Sequence, residues 1–193
     1  MKFKIVEEAK KVKPEDFGIT KYKFRPDGTL DVFQDVNLWG KYLTELPFKF
    51  GKVDGYFACN KNELKSLKGA PKVVNAHFDC SDNYLTSLKY APNVINDYFN
   101  CSWNKLKSLE GAPKIMNGDF YCFNNKLKDL KGAPKVINGD FNCGWNNKLK
   151  SLDGLNLNRI SGKIYLRDNP NLKLTEKEEF WATLNPGRLI LKK

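Results

Sequence analysis

Apolar and polar positions along residues 57–172 recur in one fixed order, F-x-C-x-x-N-x-L. The order opens at Phe57-Ala58-Cys59, with Asn62 and Leu64, and returns at Phe78, Cys80, Asn83 and Leu85. It appears again at Phe99, Cys101, Asn104 and Leu106, then at Phe120, Cys122, Asn125 and Leu127. A fifth copy, Phe141, Cys143, Asn147 and Leu149, reads with one extra residue after the cysteine. Within each F-x-C the apolar residues alternate, the period of a strand with one buried face. The phrase and its weaker relatives therefore predict strands near residues 36, 57, 78, 99, 120, 141 and 164. Cys59, Cys80, Cys101, Cys122 and Cys143 fall 21 residues apart. A period of about 20–29 residues marks a solenoid, whose coils bury their apolar sides only by stacking on one another.

Each coil continues with a second apolar pair, Leu64 and Leu67, Leu85 and Leu88, Leu106 and Leu109, or Leu127 and Leu130. It then passes through Gly69-Ala70-Pro71, Gly111-Ala112-Pro113 or Gly132-Ala133-Pro134. Proline donates no amide and fixes its own φ, so this limb is expected to be extended or turned, not helical. Val74, Ile95, Met116 and Ile137 lead into the next strand. The asparagine of each phrase stands where its amide can bond the turn and the adjoining coil, a structural role.

The phrase resembles the leucine-rich repeat segment L-x-L-x-x-N-x-L, with Phe and Cys in the first two leucine positions. That resemblance implies a mostly β α/β-solenoid with one parallel sheet and about seven coils. Residues 1–34 read as an N-terminal β cap, because Lys2–Val6 alternates and Tyr22–Val32 reads as strand, Pro26-Asp27-Gly28 turn, strand. Residues 35–174 form the solenoid, from a degenerate first repeat at Val36-Asn37-Leu38 to Ile164-Tyr165-Leu166. Residues 175–193 read as a C-terminal cap. There Thr175 and Glu178 form a capping box, and Phe180, Trp181 and Leu184 give an apolar face to a helix of about nine residues. Arg188–Leu191 is expected to return as an edge strand.

The 193 residues are 41% hydrophobic and 28% charged, ordinary for a soluble domain, and no apolar run approaches the ~20 residues of a membrane span. No signal-peptide core follows Met1, so a cytoplasmic location is expected. Five cysteines in one repeat phase fit reduced core residues better than a disulfide framework or metal site. The excess of 33 Lys and Arg over 22 Asp and Glu gives +11 and favours anionic partners in general.

In the leucine-rich repeat, outward-facing strand residues form a concave binding surface. The matching positions here are strongly aromatic and somewhat acidic, and Tyr56, His77, Tyr98, Trp103, Tyr121, Phe123, Trp145 and Tyr165 are the candidate partner-binding residues. Tyr and Trp bury large areas at little entropic cost, as in protein hot spots. Stacked one coil apart, the same rings would also stabilise the sheet by packing on each other. Lysines share other phases: Lys65, Lys107, Lys128 and Lys150, and again Lys72, Lys114 and Lys135. They read either as solvated residues or as a track for nucleic acid or another polyanion. No cofactor, metal or catalytic motif is expected, and His77 lacks a partnered nucleophile. The phrases N-G-D-F-x-C and L-K-S-L-x-G-A-P-K also resemble leucine-rich repeat proteins of tailed bacteriophages. That resemblance implies a non-enzymatic protein that binds a bacterial host protein, such as a defence or regulatory factor.

Overall fold

The structure is a computed structural model that describes residues 12–191, so the alternating stretch Lys2–Val6 lies outside it. The chain winds into a mostly β solenoid of about eight turns with one short helix near the C-terminus. Seven two-residue strands begin at Val36, Phe57, Phe78, Phe99, Phe120, Phe141 and Ile164. Leu189–Ile190 adds an eighth to the same all-parallel sheet. The register is unbroken, with Phe57 opposite Phe78, Phe78 opposite Phe99 and Phe99 opposite Phe120.

A second line of strands closes the other side of each coil. Leu30–Val32, Phe50–Val53, Val73–Val74 and Val94–Ile95 pair in parallel, with Tyr22–Phe24 antiparallel at the outer edge. The Pro26-Asp27-Gly28 hairpin thus forms as expected, and its second strand is already the first rung of this sheet. The line breaks between Val94–Ile95 and Ile115–Met116, then resumes to Val136–Ile137 and a bridge to Ile160. In neighbouring coils the amides of Lys72, Asn75, Lys135 and Asn138 bond the preceding coil. Their equivalents, Lys114 and Asn117, are exposed and donate to no described residue.

Between the two lines of strands lies a single apolar core. Phe57, Phe78, Phe99, Phe120 and Phe141 are fully buried and line it at centroid distances of 5.4–5.9 Å, stacked at the two outer contacts and edge-on at Phe99. All five cysteines are buried and free. Burial pushes the thiols of Cys59, Cys80, Cys101 and Cys122 upward, because a thiolate would sit in apolar surroundings.

The asparagines form a ladder. Asn104 Oδ1 accepts from Leu85 N at 2.8 Å, while its Nδ2 donates to the carbonyls of Cys80 at 3.0 Å and Cys101 at 3.2 Å. Every cysteine carbonyl is held by two amides, its own coil's and the next coil's: Cys59 by Asn62 and Asn83, Cys101 by Asn104 and Asn125. In the fifth coil this place belongs to Asn146, which bonds Cys122 and Cys143, and not to Asn147, which is exposed. The extra residue therefore follows the asparagine. The three-residue step from Cys to Asn is fixed by that carbonyl, whereas the turn beyond it can lengthen.

The Gly-Ala-Pro limb turns at positive φ, +94° at Gly69 and +93° at Gly111. A Cβ on Gly111 would lie 2.7 Å from the Leu88 carbonyl oxygen. Tyr90 takes the same slot at φ +74°.

The C-terminal helix, Glu176–Leu184, starts at the Thr175–Glu178 capping box. Its expected apolar face does not form as one surface. Phe180 and Leu184 are 63% and 66% exposed, and only Trp181 packs against the core, its Nε1 donating to Asn158 Oδ1 at 2.7 Å. At about 100° per residue, 180 and 184 lie to one side of the direction in which 181 points. Among the described residues, no helix is long and apolar enough to cross a membrane.

Candidate functional site

The outer face of the main sheet is built from columns of in-register residues. The column before each phenylalanine reads Asp35, Tyr56, His77, Tyr98, Asp119, Asp140 and Lys163. Its three central rings form a stack, Tyr56 on His77 at 4.7 Å and His77 on Tyr98 at 4.4 Å, within 7° of parallel. Where aspartate takes the ring's place, a carboxylate oxygen accepts the next coil's amide. Asp35 takes Tyr56 N, Asp119 takes Asp140 N and Asp140 takes Lys163 N. A glycine precedes each of these donors, and a Cβ on Gly55, Gly139 or Gly162 would collide with the accepting oxygen.

The next outward column reads Asn37, Ala58, Asp79, Asn100, Tyr121, Asn142 and Tyr165. Asn37, Asp79, Asn100 and Asn142 each accept the amide two residues on, an Asx turn that leads the chain off the strand. Tyr121 instead packs edge-on to Tyr98 at 6.0 Å and donates its hydroxyl to Asp119 Oδ2 at 2.5 Å. Burial, then the bond to Asp119, raises its phenol above the ordinary value. Burial followed by the charges of Asp79 and Asp97 does the same to Tyr98.

A second aromatic line runs where the chain leaves the strand. The residue before each ladder asparagine has positive φ, as at Lys61, Asp82, Trp103, Asn124 and Trp145. Left-handed backbone costs a residue with a Cβ about 1–2 kcal/mol, and Asn tolerates it better than Trp. The tryptophans nevertheless stand there 57% and 50% exposed, on either side of Phe123 at 6.5 and 6.2 Å.

The eight candidate aromatics thus separate into two lines, Tyr56, His77, Tyr98 and Tyr121 in one and Trp103, Phe123 and Trp145 in the other. Tyr165 stands apart behind Asn142, with Arg167 5.9 Å from its ring centroid. Asp97 escapes the repeat reading, since it occupies the slot of Gly55, Gly118 and Gly139; the replacement of glycine by a carboxylate was its one signal.

The lysine phases are also exposed: Lys65, Lys107, Lys128 and Lys150, and Lys72, Lys114 and Lys135. None of these seven is ion-paired with a described carboxylate. No group of three or more His, Cys, Asp or Glu suited to a metal ion occurs among the described residues. Compared with protein-family models, curated proteins and solved structures, the chain matches none.

Proposed function

We propose that this solenoid is a non-enzymatic protein-binding module whose partner docks on the outer face of the main sheet. The observation that carries this reading is the Trp103, Phe123 and Trp145 line. Two tryptophans are half exposed at positive φ, where the asparagine at 124 shows that a smaller, less strained residue serves the turn. Side chains that cost stability and lie open to solvent are what a binding surface requires. The bacteriophage resemblance supports a bacterial host protein as the partner.

The test is co-purification of a partner from bacterial extract by the wild-type chain and by Trp103→Asn/Trp145→Asn. Loss of the partner at an unchanged or raised melting temperature supports the reading; retention of the partner refutes it. A second reading, polyanion binding, is favoured by the seven exposed, unpaired lysines. It requires retention on heparin and a DNA affinity that falls steeply with salt, both abolished by Lys107→Glu/Lys128→Glu.

A further inference from the structure

The chain carries 33 Lys and Arg against 22 Asp and Glu, yet the middle of its outer sheet face holds carboxylates and, apart from His77, no basic side chain. The stretches 76–82, 97–103, 118–124 and 139–145 contain Asp79, Asp82, Asp97, Asp119 and Asp140, and no lysine or arginine. Along these columns cations resume at Lys61 on one side and at Lys163 with Arg167 on the other. Among the described residues none of these five carboxylates has a salt-bridge partner, although lysine is abundant around them.

The charge exceeds what the fold uses. Asp79 makes an Asx turn that the neutral Asn37, Asn100 and Asn142 make equally well in their coils. Asp140 spends one oxygen on the Lys163 amide and has no described partner for the other. Beside this face, where the Asx turn of Asn100 takes the chain off the strand, Ser102 is fully buried and its hydroxyl has no described partner. Tyr121 bonds Asp119, Tyr98 feels the charges of Asp79 and Asp97, and Trp103 follows Asp82 in its column. An aromatic face beside a carboxylate suits a guanidinium, which stacks and forms ion pairs at once.

We infer that the occupant of this face is a cationic, arginine-bearing extended segment of a protein partner. This rests on the protein-binding reading and specifies its chemistry. The acidic stretch covers four coils, so it is about 14 Å long at ~4.8 Å per strand. An extended chain repeats its side-chain direction every ~6.8 Å, so two or three alternate arginines span it.

The test uses a fluorescein-labelled peptide of four arginines alternating with three glycines, followed by anisotropy, with the glutamate counterpart as control. The arginine peptide should bind saturably and the glutamate peptide should not. Asp79→Asn/Asp119→Asn/Asp140→Asn, which keeps an amide oxygen at each backbone contact, should weaken binding at least tenfold. Asp79→Asn alone, whose turn is already made by asparagine elsewhere, should weaken it about threefold at unchanged melting temperature. Lys107→Glu/Lys128→Glu should leave it intact. Binding of the glutamate peptide, or equal affinity in wild type and both asparagine variants, overturns the inference. The broader reading fails separately: a co-purified partner lost by Trp103→Asn/Trp145→Asn but kept by the triple variant overturns the charge alone, while a partner kept by both overturns the docking face itself.

Discussion

Removing one rung of the asparagine ladder tests how the coils are joined. In Asn104→Ala the side chain that serves four backbone groups disappears. Three of the four are carbonyls with a second donor. Cys80 O keeps Asn83, Cys101 O keeps Asn125 and Ser102 O keeps the Asp82 amide. The Leu85 amide is buried and keeps no described partner. An orphaned buried donor costs about 1–3 kcal/mol, and the net value of a lost bond adds roughly 1 kcal/mol, so about 2–4 kcal/mol is expected. Asn62→Ala should behave differently, because Leu38 O has no second asparagine; Lys41 stands in the preceding coil's place. It orphans the Leu43 amide and the Leu38 carbonyl, but at a coil where Leu43 is only half-buried. Urea unfolding followed by circular dichroism measures both, with unchanged slope showing that a single transition persists. A loss below about 0.5 kcal/mol in Asn104→Ala would refute the ladder as a source of stability.

Cys80→Ser should destabilise by about 1–3 kcal/mol, since the hydroxyl meets an apolar core; Cys101→Ser should cost less, because its side chain already reaches the Tyr121 carbonyl at 3.3 Å. Their thiols, buried and raised, should react with Ellman's reagent only as fast as the chain unfolds, and fast labelling in native buffer would place them at the surface. Gly111→Ala should cost about 2 kcal/mol or more in melts, whereas Tyr90→Gly should be stabilising by up to about 1 kcal/mol through relief of its positive φ. In hydrogen exchange the amides of Lys114 and Asn117 should exchange well ahead of Lys72, Asn75, Lys135 and Asn138, and equal protection would mean that the second sheet is continuous.

The main sheet was legible because its signal repeats: alternation that is weak in one F-x-C becomes decisive when the phase holds through Cys143. The second sheet was not, since Val73–Val74 and Val94–Ile95 are two-residue strands with no alternation to read. Asn146 and Asn147 are adjacent and chemically identical, so only the Cys122 and Cys143 carbonyls choose between them. At the helix, Phe180, Trp181 and Leu184 supply an apolar composition, but the direction from which the solenoid approaches selects Trp181 alone. The aromatic candidates were identifiable by phase. Their division into two lines was not, because it depends on the positive φ that swings Trp103 and Trp145 away from the strand.

The doubly held cysteine carbonyl bears on how such a chain lengthens or shortens. Each 21-residue segment contributes one amide side chain that grips its own carbonyl and the one before it. A segment duplicated in frame in the gene arrives with its ladder amide and cysteine carbonyl already matched and joins the row at either neighbour. Deletion of a segment closes the row in the same way. Coil number can then change without breaking the row, which ends at the first coil, where Lys41 offers no such amide and the Leu38 carbonyl is held by Asn62 alone.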